Sequence, residues 1–173
     1  MKKDMDISKM RRRLHGVLCA LDEAPAHNAN IGDALTSVEK SRMWLFRVMV
    51  FTGQAVEQHP KHVRAIEPEP DLAGEDEHIL VALGVGWDTP MRHLHTVRKV
   101  REVLEVLVKE LHLFVEHGLA DLIDDSRGDR AGMIAQAAMM AWTYAEECLM
   151  FLGKEYIRLE IEHRYKSDAQ DVG

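Results

Sequence analysis

The stretch from Asp88 to Gly118 constrains the fold more than any other part of the sequence. Val97, Leu104 and Leu111 fall seven apart, and Val100, Leu107 and Phe114 interleave with them at the same interval. Val108 and Val115 widen the stripe, while Arg98, Lys99, Arg101, Glu102, Glu105, Lys109 and Glu110 fall mostly outside it. Asp88-Thr89-Pro90 offers a capping residue and a proline where the first helical turn accepts one, and Gly118 stops the pattern. The spacing predicts one helix of about 28 residues, roughly 42 Å long at 1.5 Å per residue. Such a stripe needs equally long partners to cover it, so the expected fold is all-α, a bundle of about four long helices with no sheet.

The rest of the chain supplies those partners. From Asp6 to Ala24, Ile7, Met10, Leu14, Val17, Leu18 and Leu21 share one helical face, and Pro25 ends the run. A second helix is expected from Ile31-Gly32-Asp33, with Asp33 as N-cap, to Gln58. Met43, Trp44, Phe46 and Phe51 make it apolar on more than one side, and Gly53 within it suggests a close helix crossing. Pro60, Pro68, Pro70, Gly74 and a cluster of acids mark residues 59–77 as a linker. A short helix over 77–83 and a glycine turn at 84–86 precede the long helix. A last helix is expected from Asp129 to Tyr165, Ala- and Met-rich in its first half, with a frayed end after Lys166. The chain thus divides into an N-terminal hairpin (1–58), the linker, and a C-terminal hairpin (78–173), either separate or packed together as one domain. Trp44 with Gly53 loosely mirrors Trp142 with Gly153, but the spacings differ, and a duplication is not supported.

Charge narrows the partners. A net charge of −7 argues against a protein that coats long nucleic acid, yet Lys2, Lys3, Lys9, Arg11, Arg12 and Arg13 crowd the N-terminus. A basic cluster on an acidic chain suits a small anionic ligand or an acidic partner. Cys19 and Cys148 lie in apolar helical contexts without zinc spacing, which fits buried thiols in a reducing cytoplasm. No apolar run approaches a membrane span.

Motifs for chemistry are sparse, and no cofactor or enzymatic activity is expected. His112 and Glu116 are four apart, and Glu160 with His163 forms a Glu-x-x-His pair, but a dinuclear site needs more carboxylates from other helices. The dense Glu-x-x-x-Glu and Glu-x-x-Asp set that all-helical pyrophosphohydrolases use for magnesium is absent. The basic first helix is a better candidate. Arg11 and Arg12 stand four and three residues from His15, a spacing that suits a phosphate. Trp44 offers a flat surface for a base and Thr36 a hydroxyl.

Two runs, Leu14-His15-Gly16-Val17-Leu18-Cys19-Ala20-Leu21 and Ala34-Leu35-Thr36-Ser37-Val38-Glu39-Lys40-Ser41-Arg42-Met43-Trp44-Leu45, carry a family resemblance. Over residues 7–50 the chain resembles the helical hairpin of phage anti-CBASS and anti-Thoeris sponges, which sequester cyclic nucleotide signals of bacterial defence. Their second helix begins Ala-x-Thr-x-Leu-Glu and continues to Met-Trp; here Val38 replaces the leucine. The resemblance implies a homo-oligomer whose neighbouring helices enclose a cyclic oligonucleotide and release it unhydrolysed, with Thr36 near the pocket. The candidate ligand-binding set is Arg11, Arg12, His15, Thr36, Arg42 and Trp44. Two alternatives stand beside the sponge reading: a helical module that inhibits a host protein by docking its Met-rich surfaces, and, more remotely, a metal-binding bundle.

Overall fold

A computed structural model describes residues 6–53, 89–120 and 130–171. Four helices and no strand make up those residues. They are α1 (Ile7–Asp22), α2 (Ala29–Phe51), α3 (Thr89–Leu113, continued by a π turn over Phe114–Gly118) and α4 (Arg130–Asp171). Around the bundle the helices neighbour one another in the order α1, α2, α4, α3. Side chains fix their directions. Asn28 and Asn30 at the start of α2 meet Glu155 late in α4, and Ser41 meets Ala141 earlier in α4, so the two helices are antiparallel. His93 meets Glu155 while His112 stacks on Trp142, so α3 and α4 are antiparallel too. α1 and α4 therefore run one way and α2 and α3 the other. α2 ends and α3 begins at opposite ends of the bundle.

The apolar stripes converge on one core that draws on all four helices, with Leu14, Leu21, Ile31, Leu45, Leu104, Leu107, Leu111, Ile134 and Leu152 fully buried. α2 and α4 pack most extensively. Their facing positions are small: Ala34, Ser37 and Ser41 on one side, Ala137, Ala138, Ala141 and Ala145 on the other. The Ser41 hydroxyl donates to the Ala141 carbonyl at 2.6 Å, a contact that requires the backbones to run close together.

Several boundaries differ from expectation. α2 starts at Ala29, with Asn28 rather than Asp33 as N-cap; its Oδ1 accepts from the Ile31 N–H at 3.1 Å. Asp33 instead lies exposed in the first turns of the helix. α2 stops at Phe51, and Gly53 sits beyond the Thr52 C-cap at φ 76. Gly53 is thus the terminator that left-handed backbone favours, not the site of a helix crossing. Gly153 lies inside α4, so the two glycines have different roles. α3 does not stop at Gly118. The π turn brings Leu119, five residues after Phe114, onto the buried side, where a regular heptad would have placed Gly118. α4 continues to Asp171, six residues past the expected end, and every residue from Ile161 to Asp171 is exposed. The cap at Asp88, the helix over 77–83, the acidic linker and the end of the expected second helix lie outside the described residues.

Candidate functional site

Two polar clusters stand out, one on the flank of the first hairpin and one inside the bundle. The first contains part of the set anticipated from sequence. The consecutive arginines at 11–13 diverge, as helical rotation requires. Arg13 leaves toward α3 and pairs with both oxygens of Glu110 at 2.8 and 2.9 Å. Arg11 faces α2, its guanidinium 5.0 Å from the centre of the Phe46 ring, within cation–π range. Arg12 is half-buried, and its Nε has no hydrogen-bond partner.

Helical spacing puts His15 one turn on from Arg11 in α1 and Arg42 one turn back from Phe46 in α2. Of these candidates, Arg11 makes the contact seen across the α1–α2 seam, with Phe46. His15 also approaches the Cys19 sulfur at 3.5 Å on its own helix.

The other candidates lie elsewhere. Thr36 is exposed on the side of α2 opposite the core, and its hydroxyl donates to the Gly32 carbonyl of the same helix at 3.1 Å. Trp44 packs against the core one turn beyond Lys40 and Ser41, which face α4 through Tyr144 and Ala141. The Arg47 guanidinium covers its ring at 4.9 Å. Within one chain, then, Thr36 and Trp44 do not join the seam.

The second cluster was not anticipated. Glu155 is fully buried in the core-facing stripe of α4. Asn28 Nδ2 donates to Oε1 at 2.8 Å and Asn30 Nδ2 to Oε2 at 3.1 Å. His93 Nε2 donates to Oε1 at 3.1 Å, since a carboxylate can only accept. Arg158, one turn along α4, grips both oxygens. Burial alone would raise the pKa of this carboxyl. The hydrogen bonds from Arg158, Asn30, Asn28 and His93 outweigh it and hold the carboxyl at about 2. The same carboxylate raises the pKa of Arg158. One charge thus ties the α1–α2 corner, the start of α3 and the later part of α4 together. The signal for it existed in the sequence: Cys148, Leu152, Glu155 and Leu159 are spaced four, three and four, as are His93, Val97, Val100 and Leu104. Both polar residues interrupt otherwise apolar stripes.

The pairs with metal-ligand spacing have other engagements. His112 Nε2 lies 2.9 Å from Glu116 Oε1, and the His112 ring stacks on Trp142. Glu160 accepts from the Tyr156 hydroxyl at 2.9 Å and lies 3.7 Å from Arg98. Among the described residues no group of three or more His, Cys, Asp or Glu could hold an ion. Burial, with a smaller contribution from Glu147, pushes the Cys148 thiol far up, so it stays protonated at neutral pH. A pocket lined by Pro90, Met91 and Leu94 of α3 and by Leu159 and His163 of α4 holds about 40 Å³, room for water but not for a nucleotide. No helix among the described residues is long and apolar enough to cross a membrane. Comparison with protein-family models, curated proteins and solved structures finds no match for this chain.

Proposed function

We propose that this protein binds and sequesters a small anionic ligand, a cyclic oligonucleotide second messenger, without hydrolysing it, as a phage-type anti-defence protein would. The observation that carries the reading is the Arg11 guanidinium over the Phe46 ring across the α1–α2 seam, with His15 one turn on from Arg11 and Arg42 one turn back from Phe46 on their own helices. Guanidinium groups supply forked donors for phosphate oxygens, and a ring beside them offers a face on which a base can stack. The hairpin resemblance over residues 7–50 points to the same ligand class. Thr36 and Trp44 sit on other faces of α2, so they would reach a seam-bound ligand only from a neighbouring copy, in keeping with a homo-oligomer.

The test is native mass spectrometry of the purified protein with a panel of cyclic di- and trinucleotides. A defined oligomer that gains whole-number ligands, released intact on denaturation, supports the proposal. Arg11→Ala and Arg42→Ala should each weaken binding at least about tenfold, or about 1.4 kcal/mol. Helix content and melting should stay as in the parent. A protein that ignores the whole panel sinks the reading.

A second reading, a module that inhibits a host protein by docking on it, draws support from the exposed methionines Met43, Met133, Met139 and Met150, flexible side chains suited to adaptable surfaces. Tight capture of a single host protein by the nucleotide-free chain would favour it.

A further inference from the structure

The outer face of α4 carries a second apolar seam that the core does not use. Met150, Ile157, Ile161 and Tyr165 are 49%, 60%, 49% and 74% exposed. Their spacing of seven, four and four lines them along the side of α4 opposite Cys148, Leu152, Glu155 and Leu159. The seam continues onto the part of α4 after Leu159, where every residue from Ile161 to Asp171 is exposed. Written as heptads, Thr143, Met150, Ile157 and Arg164 occupy one core position, and Glu147, Lys154, Ile161 and Asp168 the other.

We infer that this seam pairs with the same seam of a second copy of the chain, antiparallel, about a two-fold axis near residues 155 and 156. In that register Met150 meets the partner's Ile161, Ile157 meets the partner's Lys154, and Glu147 meets the partner's Arg164. Symmetry repeats each contact at the other end. Charge selects this arrangement. A parallel pair would set Glu147 on Glu147, Lys154 on Lys154 and Arg164 on Arg164, whereas the antiparallel pair closes each end with an opposite-charge contact. Arg164 is 79% exposed, 3.9 Å from Glu160 in its own chain, and is placed to make that contact. The Lys154 ammonium lies 5.2 Å from the centre of the Phe151 ring of its own helix, which leaves its stem to cover the partner's Ile157. The pairing uses no residue of the α1–α2 seam, so it holds or fails independently of nucleotide binding.

Sedimentation equilibrium of the full chain without nucleotide tests it. The expected result is a dimer that Ile157→Lys, which sets lysine on lysine, converts to monomer with unchanged helix content. Glu147→Arg and Arg164→Glu should each weaken dimerisation at least tenfold, and the double reversal should restore it. A parent chain that stays monomeric, or a dimer indifferent to both Ile157→Lys and the charge reversals, would overturn the inference.

Discussion

The two faces of α4 carry similar residue types to opposite ends. On the inner face a glutamate, Glu155, sits among apolar neighbours with both oxygens saturated by donors from the α1–α2 corner, from the start of α3 and from Arg158. On the outer face Glu147, Lys154 and Arg164 flank isoleucines and a methionine that stand in solvent. A charge saturated within the chain specifies how the helices meet. A charge left beside exposed apolar surface is available to a partner. Composition does not separate the two; the surroundings of each charge do.

The largest expected break in this contrast is Glu155→Ala. It leaves Arg158, Asn28, Asn30 and His93 without their shared acceptor, and losing one member of a buried charged network costs about 3–5 kcal/mol. Urea unfolding followed by circular dichroism measures it. A loss below 1 kcal/mol would mean that the cluster is not a clamp.

Acid sharpens the same point. The folded pKa of Glu155, about 2, lies below its ordinary 4.5. Its contribution is therefore fully present above about pH 4.5 and is lost as the pH falls toward 2. The difference corresponds to about 3 kcal/mol at neutral pH. Glu155→Gln, which keeps shape and one acceptor, should lower stability at pH 7 and flatten the dependence between pH 4.5 and 2. An unchanged slope in the variant would assign the acid sensitivity to other carboxylates.

How much of this was legible in the sequence follows from the reach of each interaction. The four helices declare themselves because apolar periodicity is local, and the stripe through Val97, Leu104 and Leu111 is buried as the spacing requires. The start of α2 is ambiguous in the sequence because Asp33 and Asn28 are both good caps, and the choice depends on where the chain turns out of α1. Asn28 also reaches Glu155, 127 residues away, a constraint no local pattern carries. Within the candidate site, the four-residue step from Arg11 to His15 was readable. The placement of Arg11 against Phe46 was not, because it depends on the register that the short connection imposes. The burial of Glu155 was hidden by its neighbours Lys154 and Arg158, which make the local sequence look solvated, although its place in the stripe of Cys148, Leu152 and Leu159 was visible.

The middle of α4 provides an intermediate test. Ala141 is fully buried where its carbonyl accepts from Ser41, so α2 approaches too closely for a larger side chain. Ala141→Leu should cost about 1–3 kcal/mol through overpacking, read as a lower denaturation midpoint with an unchanged slope. A neutral result would show that the α2–α4 crossing has room to spare.

The smallest effect belongs to the outer face. Ile157 is 60% exposed, so Ile157→Ser should change the unfolding free energy of the isolated chain by less than about 0.5 kcal/mol. That holds at concentrations low enough to keep the chain monomeric. As the concentration rises, the parent should gain stability by mass action while the variant does not, because only the parent's folded state is drawn into the pair. Melting temperatures over a hundredfold dilution series separate the two cases. A concentration-dependent parent beside a concentration-independent variant would mark the outer face as the one that faces a partner. Parallel behaviour of the two would count against pairing through the outer face.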